Sequence, residues 1–331
     1  MPTGEIDGGD GRPMLSVVIT NSDGLEDTLR CIESIVANPP RGSYEIVLVD
    51  NRSRVAAIPA VAARFPEVRA LLAPRRQGFA HNYNMGIRAA RGDYILVLNN
   101  DTLVHPGALD HMIDVLRRDP GCGMVGPLLR SADGSPQTVC ARPLLSPLRY
   151  VWVGLVADLG LATGRALDRV AQRRLARRPS GPVPCLSGAC MMLSREMLGR
   201  IGLLDEGYDF YYEDVEWCRR TLDRGYSVGY VAEAEVTHLG DQSLSKVKVW
   251  AKRSEYLSAL RYFRQYHGLS PAGARLIWLA TGLSWLLRGI VFLLAEGLAR
   301  RPGHARAYLY LWQWVLGAGR AHAEPRESAR I

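Results

Sequence analysis

The sequence predicts an α/β fold in which a mainly parallel sheet is flanked by helices. From residue 14 to residue 118, short β-branched runs alternate with segments whose apolar residues recur at helical spacing. The runs are apolar on both faces, which is typical of strands covered by helices on either side. Ligands of such sheets bind beyond the carboxyl ends of the strands, so the strand ends are the first places to examine for function.

The predicted elements of the first part follow in order. They are a strand at 14–20, a helix from residue 24, strands at 44–51 and 67–74, a helix from residue 78, a strand at 94–101 and a helix at 106–118. Strands are assigned to apolar runs bounded by polar residues, and helices to apolar residues three or four positions apart. Pro39 and Pro40 stop the first helix, Gly92 ends the second, and Pro106 begins the third.

The second half is less regular. An arginine-rich run at 173–178 predicts a solvated amphipathic helix. The small residues 187–189 predict a turn, which is followed by a strand and a short helix. After an aromatic and acidic segment we expect a helix that starts at Glu213 and is ended by Gly225, and then a strand that leads to His238.

Composition and charge narrow the class of protein. The chain has 331 residues, of which 47% are hydrophobic and 22% charged, as in a globular enzyme with one large domain and an appendage. The net charge of +8 comes almost wholly from arginine, which suits phosphates or an anionic membrane surface. Because no RNP, KH or zinc-finger signature occurs, we do not expect nucleic acid as a partner.

Cysteine usage and the N-terminal composition predict the compartment. The six cysteines form no CxxC pair, so reduced core thiols in a cytosolic protein are expected. Residues 1–13 are rich in Gly and Asp and predict a disordered tail rather than a secretory signal. We therefore expect catalysis on the cytosolic side.

Two predicted strands end in acids, Asp50 and Asp101, the second within the run Asn99-Asn100-Asp101. Taken alone, such a run is an ordinary turn, because Asn and Asp often end strands. However, the chain has neither a GxGxxG nor a GxxxxGK[ST] loop. Acid-tipped strands without a glycine loop indicate instead a phosphate that is held through a divalent metal ion.

Two further groups are candidates for chemistry. Glu213 and Asp214 follow an aromatic segment and begin a helix, where acids also stabilise the helix dipole. A carboxylate there can act as general base toward a substrate hydroxyl, and the two interpretations are compatible. His238 stands at a strand end and is either a packed residue or a metal ligand.

Together these pieces resemble a known family. In chain order they are LSVVIT, CIESI, EIVLVDN, GFAHNYNMGIRAARGDYILVLNNDT, LSGACMMLSREMLGRIGLLDEGYDFYYEDVEWCRR and THLGDQS, between Met14 and about Ser243. In order and spacing they are similar to a family 2 inverting glycosyltransferase of the GT-A fold, close to the bacterial rhamnosyltransferase-like branch. The resemblance implies a catalytic domain at 14–245, with a nucleotide-binding half at 14–130 and an acceptor half at 131–245.

The resemblance also implies roles for single residues. Asp50 would contact the nucleotide. Further nucleotide contacts would come from Thr20, Asn51, Gly78, Asn82, Asn99 and Asn100. Asp101 and His238 would hold a Mg²⁺ or Mn²⁺ ion on the diphosphate. Asp214 would be the general base, with Glu213 beside it. The sugar and the acceptor would lie against Ser187, Gly188, Asp205, Glu206 and Tyr212.

The implied reaction moves a sugar, such as rhamnose or another deoxyhexose, from a dTDP-, UDP- or GDP-linked donor to a glycan or lipid-linked acceptor. The segments TNSDG and RSRVAAI depart from the family pattern beside the nucleotide and leave the identity of the base open. A nucleotidyltransferase would need a glycine- and Lys/Arg-rich first loop, which TNSDGLEDT is not. The other alternative is a catalytically degenerate, membrane-bound partner subunit.

The C-terminal region, 246–331, predicts helices that associate with a membrane. The apolar stretch 276–298 is long enough to span a bilayer. Because Arg288 lies near its middle, a helix lying in the membrane interface is favoured over a true span. Flanking basic residues and the aromatic segment 307–319 support this interpretation. The alternative is a helical pair packed on the protein or in a homodimer. The expected location is peripheral, on the cytosolic face of the cell membrane.

Overall fold

The computed structural model describes residues 11–159, 170–240, 249–299 and 304–317. These residues fall into two compact units. Of the described residues, the first unit contains 11–144, 171–209 and 213–240, and the second contains 145–159, residue 170, 210–212, 249–299 and 304–317. Most of the predicted tail at 1–13, the last three residues of the THLGDQS motif and the basic residues at 246–248 lie outside the described residues.

The first unit is built around one sheet. Its strands in the described residues are β1 (Leu15–Asn21), β2 (Tyr44–Asp50), β3 (Arg69–Leu72), β4 (Tyr94–Asn99), β5 (Thr102–Val104), β6 (Cys122–Arg130), β7 (Gly181–Pro182), β8 (Cys190–Ser194) and β9 (Ser227–His238). The order across the sheet is β3-β2-β1-β4-β8-β6-β9-β5, and β7 pairs with β9. Strands β1 to β4 run parallel, as do β6 and β9, whereas β5, β7 and β8 pair antiparallel with their neighbours. The prediction of a mainly parallel sheet is confirmed.

Helices flank this sheet. They are α1 (Leu25–Ala37), α2 (Ala57–Arg64), α3 (Phe79–Ala89), α4 (Ala108–Arg118), α6 (Arg195–Ile201) and α7 (Glu213–Asp223), while α5 (Pro147–Leu159) belongs to the second unit. The central residues of β1, such as Val17 and Ile19, are fully buried, which explains why the run is apolar on both faces. Helix α3 lies very close to the sheet, because a Cβ at Gly86 would collide with Val18 of β1. The predicted alternation of strands and helices up to residue 118 is therefore observed.

The structure also departs from the sequence prediction. Helix α4 begins at Ala108 rather than Pro106, because Gly107 adopts a left-handed conformation (φ 75°) and the short strand β5 precedes it. Helix α2 and strand β6 were not predicted. Strand β6 contains two glycines and Pro127, which argue against a strand, yet it is buried between β8 and β9. In place of the predicted helix at 173–178, residues 170–175 are helical and a turn follows.

The described part of the second unit is mainly helical. It contains α5 (Pro147–Leu159), α8 (Val249–His267), α9 (Pro271–Ala299) and α10 (His304–Gly317). The ring of Tyr256 on α8 meets Trp285 and Trp314 edge to face. Arg288, the charged residue in the middle of α9, lies over the ring of Tyr308 on α10, with 5.5 Å between the guanidinium carbon and the ring centroid. The charged side of α9 is thus packed on a neighbouring helix.

The opposite side of α9 is apolar and exposed. Its exposed large residues lie three or four positions apart, and we call them the leucine row: Leu276, Leu279, Leu283, Leu287, Ile290 and Leu294. Within α9, the segment Pro271–Leu294 is long and apolar enough to cross a membrane by length and composition, and 28% of its apolar window is buried inside the protein. A single helix of this kind is weak evidence for a span.

Candidate active site

The polar strand ends meet at one edge of the sheet, which we call the carboxyl edge. Because β1, β2 and β4 are parallel, their carboxyl ends share this edge. Strand β8 runs antiparallel to β4, with Cys190 opposite Leu98, so the turn before β8 lies there too. The last residue of β9, His238, pairs with Thr102 of β5, immediately after Asp101. The topology therefore gathers side chains from distant parts of the sequence.

Asp101 and His238 face each other at the carboxyl edge. The N–H of Leu239 donates to the carbonyl of Asp101 (2.9 Å), which fixes the chain of β9 beside the turn. Oδ1 of Asp101 lies 3.4 Å from Nε2 of His238, and both side chains are partly exposed. The other ring nitrogen, Nδ1, is 2.9 Å from Oε1 of Gln137. The structure thus brings the two predicted metal ligands together, as one oxygen and one nitrogen.

The two asparagines before Asp101 are bonded within the protein. Oδ1 of Asn99 accepts a hydrogen bond from the hydroxyl of Tyr83 (3.1 Å). Nδ2 of Asn100 donates to the carbonyl of Gly24, just before α1 (3.2 Å). These bonds hold the turn, so Asp101 is the member of the run whose side chain faces His238.

Asp214 is the second residue of α7 and is held by three donors. Its Oδ2 accepts from the guanidinium of Arg142 (2.7 Å) and from the N–H of Gly188 (2.9 Å). Its Oδ1 accepts from the N–H of Val215 (2.7 Å). An ionised carboxylate offers about four acceptor positions. Among the described residues one position is therefore without a donor.

The turn at Ser187 and Gly188 allows this close approach. A Cβ at Gly188 would lie 3.2 Å from Cβ of Asp214, a contact tighter than side chains normally make. The hydroxyl of Ser187 accepts from the N–H of Ala189 (3.3 Å) and so closes the turn from the other side. The small residues of the predicted acceptor floor thus form the support of Asp214.

Glu213 differs sharply from its neighbour Asp214. It is 5% exposed, and its Oε2 has no hydrogen-bond partner among the described residues. Burial, and after it the charge of Asp214, raises the pKa of Glu213 to about 8. At pH 7 the carboxyl group of Glu213 is therefore mostly protonated and neutral.

On the nucleotide side, Asp50 is the centre of a bonded network. Its Oδ1 accepts from Nδ2 of Asn21 (3.0 Å) and from the hydroxyl of Ser53 (2.5 Å). The N–H of Ser53 approaches its Oδ2 at 3.4 Å. Asp50 is also buried, so the network fixes the loop after β2 to the end of β1.

The other predicted nucleotide residues lie along the start of α3 and the neighbouring strand ends. The side-chain amide of Asn51 binds the backbone of Gln77 twice. Its Oδ1 accepts from the N–H of Gln77 (2.8 Å), and its Nδ2 donates to the carbonyl of Gln77 (3.0 Å). A Cβ at Gly78 would collide with the carbonyl of Asp209. Nδ2 of Asn82 donates to the carbonyl of Gly78 (3.0 Å), while its buried Oδ1 has no partner among the described residues. Thr20 lies beside Asn99 in the β1–β4 ladder.

The remaining predicted acceptor residues have these positions. Oδ1 of Asp205 accepts from the N–H of Gly207 (2.8 Å) in its own turn. Glu206 is bound by three side chains of α3. They are Asn84 (2.9 Å), Arg88 (3.2 Å) and His81 (3.4 Å). Tyr212 belongs to the second unit, where its ring packs on Tyr262 with 5.5 Å between centroids, and its φ of 68° is rare for a residue with a side chain.

Two residues of this site were missed by the sequence analysis. Arg142 binds Asp214, and Gln137 binds His238. Both lie on the segment 131–142, which leaves the carboxyl edge after β6. In the sequence, the one feature that could have pointed to them is their position shortly after a strand. Because β6 was not predicted, that feature could not be used. No repeat or motif marks either residue.

The protein supplies few ligands for a metal ion. Within the described residues there is no group of three or more His, Cys, Asp or Glu side chains that could hold one. Asp101 and His238 form a pair, and a magnesium-type ion usually takes its remaining ligands from substrate phosphates and water. The pair is therefore suited to an ion that arrives with a diphosphate.

Proteins that resemble this chain in sequence or in structure include glycosyltransferases. The chain is 29% identical over 300 residues to the N-acetylglucosaminyl-diphospho-decaprenol L-rhamnosyltransferase of Mycobacterium tuberculosis, covering 87% of this chain and 92% of that protein. The mannosyltransferase PcManGT of Pyrobaculum calidifontis, solved with GDP-Man and Mn²⁺, has a TM-score of 0.52 at 18% identity, covering 93% of this chain and 86% of that one.

A second solved structure, GalNAc-T7 with UDP, GalNAc and Mn²⁺, also gives a TM-score of 0.52 at 18% identity, covering 70% of this chain and 44% of that one. Likeness at this identity establishes the fold, and the expected GT-A fold is confirmed. The profile of the family described as "Glycosyltransferase like family 2" matches residues 13–256. The chain belongs to this family and is a glycosyltransferase.

Proposed function

We propose that the chain is a metal-dependent, inverting glycosyltransferase that moves a deoxyhexose from a nucleoside diphosphate to a hydroxyl of a lipid-linked sugar. The observation that carries the proposal is that two features suited to this chemistry lie at the carboxyl edge. Asp101 and His238 approach to 3.4 Å, and the carboxylate of Asp214 keeps one open acceptor position. The first suits a cation on a diphosphate, and the second suits a general base.

The residues present fit a divalent ion. Neighbouring ligands of an octahedral ion at about 2.1 Å lie about 3 Å apart. The 3.4 Å between Oδ1 of Asp101 and Nε2 of His238 is close to that separation. When bound, Mg²⁺ or Mn²⁺ would neutralise the charge that develops on the departing diphosphate.

The protein's own groups account for the remaining chemistry. The open acceptor position on Asp214 receives the proton of the acceptor hydroxyl as the oxygen attacks the anomeric carbon. The C–O bond to the nucleoside diphosphate breaks as the new C–O bond forms on the opposite face, so the configuration inverts. Arg142 and Gly188 hold the carboxylate in place while it takes the proton. Glu213, mostly neutral at pH 7, avoids a second charge beside the base.

The substrate class is supported by the M. tuberculosis relative, whose name specifies rhamnose as the sugar and a decaprenol-linked diphosphosugar as the acceptor. A lipid-linked acceptor places the reaction at a membrane surface. The leucine row presents a continuous apolar face, with Leu276 68% and Leu294 65% exposed, while Arg288 is packed on the other side of α9. This pattern supports α9 as an interfacial helix that anchors the enzyme peripherally on the cytosolic face.

Donor binding is the first test of the proposal. Thermal shift is measured with dTDP-, UDP- and GDP-sugars, each with and without Mn²⁺ or Mg²⁺. One nucleotide should raise Tm only when metal is present, and Asp101→Ala should abolish that rise. Transfer is then assayed with the donor so identified and a polyprenyl-diphosphate N-acetylglucosamine. Metal-independent binding of every donor, or transfer that survives Asp101→Ala, would contradict the proposal.

Membrane association is tested separately by sedimentation with anionic vesicles. The double variant L279E/L283E should release the protein from the vesicles, because two charges would enter the acyl boundary. The matched control is L257E, an exposed leucine on α8 outside the leucine row. Equal binding by L279E/L283E and the wild type would rule out α9 as the anchor.

A further inference from the structure

Gln137 is held rigidly at the carboxyl edge. Its N–H donates to the carbonyl of Leu129 at the end of β6 (2.8 Å), and its carbonyl accepts from the N–H of Cys140 (3.2 Å). Its side-chain amide also reaches the hydroxyl of Ser131 (3.3 Å). The backbone of Gln137 is therefore fixed on both sides, and its side chain can hold a neighbouring residue in one orientation.

That neighbour is His238, which Gln137 binds twice. Nε2 of Gln137 donates to the backbone carbonyl of His238 (2.7 Å), and Oε1 of Gln137 lies 2.9 Å from the ring nitrogen Nδ1. A carbonyl oxygen can only accept, so the first bond requires the NH₂ of the amide on that side. The amide oxygen must then face the ring, and Nδ1 must carry the proton.

The position of this proton determines what the opposite nitrogen can do. In a neutral imidazole with Nδ1–H, Nε2 carries a lone pair and can bind a metal. This nitrogen is the one that faces Oδ1 of Asp101 at 3.4 Å. If the proton were on Nε2 instead, His238 would donate to Asp101, and both groups would be engaged with each other rather than with an ion.

We propose that Gln137 is a positioning residue that holds His238 as the Nδ1–H tautomer, with Nε2 directed to the metal. The inference rests on the proposed function, in which Asp101 and His238 bind a divalent ion. Partners that bind the second nitrogen of a metal-ligating histidine commonly change metal affinity 10- to 100-fold. Here the partner is a neutral amide that fixes both the ring and the backbone of the same residue.

The tautomer can be measured without any metal. Protein labelled with ¹⁵N-histidine is studied by long-range ¹H–¹⁵N NMR, and His238 is assigned by the signal missing from H238A. The wild type should show Nδ1–H, and Q137M, which cannot accept, should shift toward Nε2–H. If Q137M does not fold, Q137N, too short to reach the ring, tests the same prediction. A wild-type ring protonated on Nε2, or a tautomer unchanged in the variant, would overturn the inference.

Mn²⁺ affinity, measured by EPR of the free ion, gives a second readout. Q137M should weaken binding about 10- to 100-fold, and it should have no further effect in the H238A background. Q172M is the matched control and should leave the affinity unchanged, since no described hydrogen bond joins that side chain to the site. If H238A weakens binding but Q137M does not, the positioning role fails. If H238A has no effect, the proposed metal role of His238 fails, and the NMR result still decides the role of Gln137.

Discussion

The two polar regions of the carboxyl edge are built differently. In the region around Asp50, the polar groups are bonded to one another, and Oδ1 of Asp50 already accepts from Asn21 and Ser53. In the region of Asp101 and Asp214, the carboxylates face basic side chains and are less deeply buried than Asp50. The carboxylate of Asp101 has His238 as its one neighbour at ion-pair distance among the described residues, and Asp214 pairs with Arg142 at 2.7 Å.

This difference separates scaffold from chemistry. A buried carboxylate that is bound by uncharged amides and hydroxyls stabilises a loop, because each buried polar group has a partner. A carboxylate that is partly exposed or lies beside a basic side chain can bind an ion or a substrate proton. We therefore expect substitutions in the second region to change turnover, and substitutions in the first region to change stability.

The largest effect is expected for Asp214→Asn. The amide cannot take a proton from the acceptor, so kcat should fall about 10²- to 10⁴-fold, the usual contribution of a general base. Donor binding, measured by thermal shift, should be largely unchanged because Asp101 and His238, the proposed metal ligands, are intact. The matched control is Asp223→Asn, in the same helix, where the carboxylate pairs with Arg219 (2.7 Å) at the surface. Near-normal turnover of Asp214→Asn would mean that another group is the base.

Arg142→Met should have the next largest effect. The methionine keeps an apolar stem but removes the guanidinium that binds Oδ2 of Asp214 at 2.7 Å. A carboxylate displaced by about 1 Å can lower turnover by about 100-fold. The fall should appear in kcat with little change in the donor KM, and Arg142→Lys should recover part of it, because it restores the charge.

The control for this variant is Arg130→Met. It breaks a two-bond pair with Glu235 (2.6 Å and 2.8 Å) and makes no described contact with Asp214. Arg130→Met should therefore lower Tm while kcat stays within a few-fold of wild type. Equal losses of kcat in both variants would show that Arg142 acts only through stability.

Glu213→Gln should have a small effect on turnover at pH 7 and a clear effect on the pH dependence of stability. Glu213, with a pKa of about 8 against 4.5 for a free glutamate, is already mostly neutral at pH 7, and the amide imitates that form. Because the folded-state pKa is raised, the stabilisation is fully present below pH 4.5 and is lost as the pH rises through about 8. The Tm of the wild type should therefore fall relative to that of E213Q between about pH 5 and pH 8.

The control is Glu196→Gln, at an exposed ion pair with Arg200. Its pH profile of Tm should run parallel to that of the wild type. Parallel profiles for wild type and E213Q would instead mean that Glu213 is ionised in the folded protein at neutral pH.

The fold was predictable where the signal is local. Strands β1, β2 and β4 are apolar on both faces and end in polar residues, and each was found near its predicted place. Strand β6 was missed because Gly126 and Pro127 contradict strand propensity, while its burial between β8 and β9 overrides that propensity. This burial arises only when the sheet is assembled, so it cannot be predicted from a short segment of the sequence.

The same limit applies to the site. The acids stand at strand ends or at a helix start, where a rule about parallel sheets points to them. Arg142 and Gln137 reach partners 72 and 101 residues away, and the register of β6, β8 and β9 sets those contacts. Periodicity describes local structure and contains no information about such pairs. They become visible only when the strands are aligned.

The smallest effect on turnover is expected for Ser53→Ala, which tests the contrast between the two regions. The hydroxyl of Ser53 donates to Asp50 (2.5 Å) and accepts from Asn21 (2.9 Å) and from the N–H of Asp23 (3.0 Å). Its loss removes bonds from a charged, buried group, so the free energy of unfolding should fall by about 1–3 kcal/mol. Turnover by the folded fraction should stay within a few-fold, because the carboxylates of Asp101 and Asp214 are untouched. Urea unfolding measures the first quantity and kcat the second, and donor KM is measured alongside. A donor KM that rises about tenfold (~1.4 kcal/mol) at unchanged stability would mean that the Asp50 network is a nucleotide-binding surface after all. A buried, hydrogen-bonded network would then not identify a purely structural region in this protein.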